Sequence, residues 1–208
     1  MATYKDPENT LILDTSKGEV IIECLPDLAP GHVKHIKELA REGFYDGVVF
    51  HRVIDDFMAQ GGDPTGTGTG GSKKPNLKAE FNDEPHIRGI CSMARSQNPD
   101  SANSQFFICF DEVRFLDKQY TVWGRVIDGM DNVDKFARGE PVPNPDQINT
   151  MKVAADAAPK PAAKAKPKAA AKPKAAAKPK AAVRPKAAAK PKTATKAKAK
   201  PKAKAKKA

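Results

Sequence analysis

Two short apolar runs open the chain, Leu11-Ile12-Leu13 and Val20-Ile21-Ile22, separated by Thr15-Ser16-Lys17-Gly18. Runs of strand length around a turn predict a β-hairpin. Pro26 and Pro30 end the second strand. Val33, Ile36, Leu39 and Ala40 then recur at helical spacing up to Gly43, which predicts a helix with one apolar and one wet face. From Val48 to Gly62 the apolar residues return as Val48-Val49-Phe50, Val53-Ile54 and Phe57-Met58, again strand lengths. Residues 61–76 form a Gly/Thr/Pro-rich loop. Further strands are predicted over 89–94, 105–110 and 120–127. Met130, Val133 and Phe136 predict a second helix ending at Gly139, and Ile148 to Val153 a closing strand. Many short strands with two helices make an all-β pattern, a barrel or a sandwich. A closed barrel would remove exposed edges and leave two open ends for the two helices.

Composition divides the chain. Residues 1–155 carry 17 basic and 24 acidic side chains, a net of −7, and every aromatic residue. Residues 156–208 carry 19 basic side chains and one acidic, Asp156, a net of +18. This second part is built of Ala, Lys/Arg and Pro, with prolines at 161, 167, 173, 179, 185 and 191. It has too little apolar surface to offset about 1–2 kcal/mol per residue of backbone ordering. The expected organisation is one globular domain over 1–155 and a disordered basic tail over 156–208. Proline every six residues forbids a continuous helix and favours an extended tail.

No apolar run follows a basic start at the N-terminus and no stretch of 18 apolar residues occurs, so neither a secretory signal nor a membrane span is expected. Cys24, Cys91 and Cys109 are odd in number and lack Cys-x-x-Cys spacing, which argues against a disulfide framework or a zinc site. Buried reduced thiols in a cytoplasmic protein are expected, with nucleoid association if the tail binds DNA.

The tail fits three roles: counterion-release binding of DNA or RNA without base specificity, attraction to anionic membranes or acidic proteins, or solubilisation. Gly66-Thr67-Gly68-Thr69-Gly70-Gly71 matches a nucleotide-loop spacing, but Pro75 leaves no room for the helix start that such a loop needs. A glycine-rich wall beside a groove is the better reading. His32 and His35 have a spacing that can hold a metal but no completing ligands, and read as a solvated helix face. Ser92, Ser96 and Ser104 have no evident His/Asp partners, so a hydrolase triad finds no support. Within 51–63, Arg52, Ile54, Phe57, Met58 and Gln60 put a cation, an amide and large apolar groups close together. Alone, this segment fits ordinary barrel core as well as a site. With Val53 facing the core, Arg52 and Ile54 take the opposite face.

The runs Phe50-His51-Arg52-Val53-Ile54, Phe57-Met58, Gln60-Gly61-Gly62-Asp63, Ser92-Met93-Ala94, Ser104-Gln105-Phe106-Phe107-Ile108 and Phe115-Leu116-Asp117 stand together in this order. Over roughly residues 9–155 they resemble the cyclophilin family of peptidyl-prolyl cis–trans isomerases. The resemblance implies an eight-stranded antiparallel β-barrel capped by two helices, acting on proline-containing peptides and unfolded proteins as a folding catalyst. It implies a monomer with no metal or cofactor. It makes Arg52 the catalytic arginine. Phe57, Met58, Phe107 and Leu116 would grip the proline, with Ile54 beside them. Gln60, Ala94, Arg95 and Gln105 would line the peptide-backbone side. Phe115 and Tyr120 would close the rim and Gly68 the glycine-loop wall. Arg95, Phe115 and Tyr120 replace the Asn, Trp and His common in eukaryotic members and resemble bacterial ones. Phe115 lacks the indole N–H that tight cyclosporin binding would use. The resemblance does not reach the tail, whose composition is similar to linker-histone tails. Alternatives to an isomerase are a proline-peptide binding module, or a nucleoid- or RNA-associated protein with little turnover.

Overall fold

A computed structural model describes residues 4–157. Nearly all of the basic segment lies outside the described residues. The elements are β1 (Thr10–Thr15), β2 (Gly18–Cys24), α1 (Pro30–Arg41), β3 (Arg52–Ile54), β4 (Met58–Gly61), β5 (Ile90–Met93), β6 (Phe106–Cys109), β7 (Val122–Asp128), α2 (Met130–Val133) and β8 (Ile148–Val153). The predicted hairpin forms: Thr15 pairs with Gly18, and Thr15 Oγ1 donates to the Gly18 carbonyl at 2.6 Å. Gly18 has φ +126°, and a Cβ there would stand 2.7 Å from the Asn132 side chain.

All eight strands join one antiparallel sheet in the order β3-β4-β6-β5-β7-β2-β1-β8. The closed barrel expected from the sequence is corrected to a curled half-barrel, because no strand ladder joins β3 to β8. Irregular backbone spans the gap instead. Val49 bridges Gln147 and Val53 bridges Gly139, while the Phe50 N–H donates to the Asp146 carbonyl and the Ile148 N–H to the Val48 carbonyl, each at 2.8 Å. The segment Val48-Val49-Phe50 therefore gives bridges rather than a strand. Phe57 stands just before β4.

Pro30 opens α1, where a missing N–H costs nothing. Ala29 offers no side-chain cap. Glu80 supplies one from afar, accepting from the Gly31 and His32 N–H groups at 3.0 Å each. The helix buries Val33, Ile36, Leu39 and Ala40 as predicted, but His32 and His35 as well. The solvated reading of these histidines is corrected: α1 lies deeper than its apolar stripe implies. His32 Nδ1 meets the Glu80 carboxylate at 2.6 Å. α2 is one turn long, not ten residues. The Lys135 and Phe136 N–H groups reach back only three residues, and the Ala137 N–H turns to the Asp146 carboxylate at 2.7 Å. Phe136 still enters the core.

Alternation sorts the strands onto two faces. Val53, Ala59, Cys91, Met93, Phe106, Ile108 and Trp123 join the main core with Tyr45, Phe50 and α1. Met58, Ile90, Phe107, Cys109 and Val122 form a second cluster on the opposite face with Val113 and Leu116. Period two therefore gives one sheet two apolar faces, and the second carries the candidate site.

Candidate active site

Strand register lays a row of residues across the second face. Arg52 pairs with Gln60, Gln60 with Phe107, Phe107 with Ser92, and Ser92 with Val122. Five strands thus set a cation, an amide, a ring, a hydroxyl and an aliphatic side chain side by side. A cavity of about 130 Å³ opens on this face, lined by Arg52, Phe57, Met58, Gln60, Ala94, Arg95, Phe107, Leu116 and Tyr120. That is well below the ~300–1,000 Å³ of clefts for drug-sized ligands, and suits one small side chain. A wider hollow of about 400 Å³ runs along the exposed side of α1. It is crossed by the ion pairs of Glu8 with Lys37 and Arg41, and no aromatic side chain lines it.

The apolar floor is Met58, Phe107 and Leu116, all buried. The Phe107 ring meets the edge of Tyr120, with centroids 5.7 Å apart. Behind it, His86 lies nearly parallel at 6.2 Å. Phe57 stands 5.6 Å from the Phe115 ring, and the Arg52 guanidinium carbon 5.9 Å from the Phe57 centroid.

Arg52 is held from two sides. Its Nε donates to Glu140, and its Nη1 faces Gln60 Oε1 at 3.4 Å. Nη2 forms no hydrogen bond among the described residues. Gln60 Nε2 donates to Gln105 Oε1 at 2.9 Å, and Gln105 Nε2 donates to the Gly68 and Gly70 carbonyls at 3.0 and 2.8 Å. The glycine loop is itself wrapped on the Asp63 carboxylate, which accepts from the Thr65, Thr67, Gly68 and Gly70 N–H groups at 2.7 to 3.1 Å. Burial pushes the Asp63 carboxyl up, but the donors of Gly70, Thr65 and Gly68 outweigh it and hold the pKa far below the usual carboxylate range. A Cβ on Gly70 would stand 2.2 Å from Asp63 Oδ1, so only glycine fits there.

Nine of the thirteen residues singled out from the sequence line the cavity. Ile54 packs against its cluster from β3, and Phe115 stands on the rim, 66% exposed. Gln105 and Gly68 support it from behind. Arg95 anchors to main chain, with Nε and Nη2 on the Gln119 carbonyl at 3.0 and 2.9 Å.

A match to the family described as cyclophilin type peptidyl-prolyl cis-trans isomerase covers residues 10–154. A probable peptidyl-prolyl cis-trans isomerase of Brucella abortus is 53% identical over 171 residues, covering 74% of this chain and 87% of that protein. A mouse peptidyl-prolyl cis-trans isomerase-like 1 is 37% identical over 155 residues, covering 73% and 92%. Among solved structures, a cyclophilin of Hirschia baltica superposes with a TM-score of 0.69 at 34% identity, covering 74% of this chain and 77% of that one. A Cryptosporidium parvum cyclophilin-type isomerase crystallised in the presence of the dipeptide Ala-Pro superposes at 0.65 with 28% identity, covering 69% and 98%. The chain belongs to the cyclophilin family. It is a peptidyl-prolyl cis-trans isomerase.

Three features of this cyclophilin are not legible in its sequence. Glu140 reaches Arg52 from a loop 88 residues away. Asp63 closes the run Gln60-Gly61-Gly62-Asp63, and its hub role has no sequence signal beyond the glycines that follow it. Ser92 does have partners: His86 Nε2 lies 2.8 Å from its Oγ, and His86 Nδ1 lies 3.0 Å from Asp117 Oδ1. The connectivity is that of a hydrolase triad, but Ser92 and His86 are fully buried, so no substrate reaches the hydroxyl. The chain instead props Phe107 and the turn bearing Leu116. Among the described residues no three His, Cys, Asp or Glu side chains gather as a metal site needs, and no helix is long and apolar enough to cross a membrane.

Proposed function

We propose that Arg52 is the catalytic group and that the notch of Phe57, Met58, Phe107 and Leu116 grips the prolyl ring. The observation that carries this reading is a guanidinium with a free Nη2 edge on the wall of a ring-sized cavity whose floor is Met58, Phe107 and Leu116. An X-Pro bond crosses a barrier of about 18–20 kcal/mol set by amide resonance, and exchanges alone in roughly 10–100 s. Twisting the bond breaks conjugation and returns a lone pair to the prolyl nitrogen. Arg52 donates to that lone pair only in the twisted state, which is differential transition-state binding. The guanidinium suits this because it stays charged and keeps its donors in a rigid fork. The apolar floor excludes water and strengthens the interaction. Gln60, Ala94, Arg95 and Gln105 hold the peptide on one side while the other turns. Phe115 and Tyr120 close the rim, Ile54 backs it, and Gly68 belongs to the wall behind. Exchange in about 10 ms needs an acceleration of ~10³–10⁴, or about 4–5.5 kcal/mol, which one charged hydrogen bond with positioning and desolvation supplies. The test is peptide isomerisation by the full chain and by Arg52→Ala. Turnover lost with the native circular-dichroism spectrum kept supports the assignment. Wild-type turnover in the variant ends it.

The physiological reading is a folding catalyst acting on exposed X-Pro bonds in a reducing compartment, where Cys24, Cys91 and Cys109 stay as thiols. Residues 156–208 form a second functional part that binds DNA or RNA through phosphates, on the strength of a net +18 without any aromatic residue for base stacking. Engaging about eight phosphates gives a log–log salt slope near −7 on duplex DNA. Equal DNA affinity in a chain shortened to residue 157 would overturn this reading.

A further inference from the structure

The walls of the groove differ in charge. On one side Arg52 is matched by Glu140, and nearby Arg138 meets Asp55 at 2.6 Å. On the other stands Arg95, which donates only to main-chain oxygens: the Gln119 carbonyl twice, Ser96 at 2.8 Å and Gln97 at 3.4 Å. Its guanidinium carbon lies 4.6 Å from the Tyr120 ring centroid and 6.0 Å from that of Phe81. No carboxylate pairs with it among the described residues. Carbonyls and ring faces fix a guanidinium in place without cancelling its charge. Arg95 is thus a half-buried, unneutralised cation on the cavity wall, beside the Ala94 backbone.

We propose that Arg95 makes this isomerase selective for X-Pro segments with an acidic residue immediately before the proline. The inference rests on the reading of the groove above and adds to it one assignment, that the residue preceding proline is the one that runs along Ala94 and Arg95. Four donor contacts are already spent on the main chain, so the carboxylate is attracted through space rather than clasped. Unit charges about 7 Å apart at an effective dielectric constant of about 40–80 give a preference of about three- to sevenfold over a neutral side chain. The effect is small, tied to one position and sensitive to salt.

The test measures kcat/KM of the full chain on two peptide pairs, Ala-Glu-Pro-Phe against Ala-Gln-Pro-Phe, and Ala-Ala-Pro-Glu against Ala-Ala-Pro-Gln. The expected Glu/Gln ratio is about three to seven in the first pair and near one in the second. At 0.5 M NaCl the first ratio should fall toward one, since the screening length is then shorter than the gap. It should also fall toward one in Arg95→Gln and stay above one in Arg95→Lys, which keeps the charge. Ratios are compared within each variant, so a general loss of turnover does not disturb the reading. Equal ratios in the two pairs would mean a diffuse attraction to the basic C-terminal residues and would overturn the proposal. So would a first ratio of one in the wild type, or one that Arg95→Gln leaves unchanged. If Arg95→Gln does not fold, the two pairs and the salt series on the wild type decide. Failure of all four peptides to turn over would instead strike at the groove assignment itself.

Discussion

Gln60 Nε2 donates to Gln105 Oε1 across 2.9 Å, and this one contact orients both amides. Gln105 spends its own N–H groups on the Gly68 and Gly70 carbonyls, so its oxygen must face Gln60. Gln60 then turns its oxygen toward Arg52 Nη1. An acceptor therefore faces the guanidinium because the glycine loop presents two carbonyls at the far end. The loop presents them because Asp63 gathers its N–H groups. Each link is an ordinary hydrogen bond, but none can reverse without leaving a half-buried polar group unpaired.

Removing the cation tests the end of that line. Arg52→Ala should lower kcat/KM by about 10²–10³, the range for loss of one preorganised donor. The side chain is 34% exposed and its ion pair lies at the surface, so the urea midpoint should move little. Peptide exchange and equilibrium unfolding of the same preparation check both.

Breaking the middle of the line should cost less activity and more stability. Gln105→Leu leaves Gln60 Nε2 and the two loop carbonyls unpaired, at the low end of the about 1–3 kcal/mol for a buried polar group because these groups are only half-buried. Turnover should fall about three- to thirtyfold, less than for Arg52→Ala. A double-mutant cycle with Gln60→Leu should show strong non-additivity, because both changes sever one chain.

At its origin, Asp63→Asn removes the negative charge that four N–H groups share. The expected loss is about 2–4 kcal/mol in urea unfolding, since hydrogen bonds to a charged group contribute more than neutral ones. Amide hydrogen exchange should speed up selectively at Gly68 and Gly70, whose N–H groups end on this carboxylate.

Acid should weaken the fold in two stages. Burial pushes the pKa values of His32, His35, His51 and His86 below the usual histidine value. Each stays neutral in the fold while the unfolded chain takes up a proton near pH 6.5, so stability falls as pH drops below that value. The slope is at most about 1.4 kcal/mol per pH unit for each histidine. Asp117 adds the second stage, at lower pH. Burial raises its pKa, but the His86 N–H and Arg114 outweigh burial and bring it to about 2. The stability that Asp117 and Asp63 contribute is complete above pH ~4 and is lost on further acidification. Urea midpoints from pH 8 to 3 should be flat above about 7, fall below 6.5, and fall again below 4.

The thiols should be silent in the native state. Cys24 and Cys109 are pushed up to about 12 by burial, and Cys91 well above the usual thiol value. A thiol-disulfide reagent should react with none of the three at pH 7.5 before unfolding and with all three afterwards.

Local pattern determined a good deal of this protein. The hairpin of β1 and β2 and the apolar stripe of α1 follow from period and punctuation, and the motif runs already pointed to the residues of the notch. Pattern failed where a long-range contact overrode it. His32 and His35 look polar in a helix, yet Glu80 draws the helix start inward. Phe136 keeps helical spacing with Met130, but Asp146 captures the Ala137 N–H and ends α2 after one turn. A row of short strands suggests closure, yet whether two edges meet in a ladder depends on the path of residues 136–147. Glu140 beside Arg52, Asp63 under the glycine loop and His86 behind Phe107 were decided only by the tertiary structure. A sequence lists donors and acceptors, but hydrogen-bond partners are chosen by distance and direction, and the folded sheet sets those across dozens of residues.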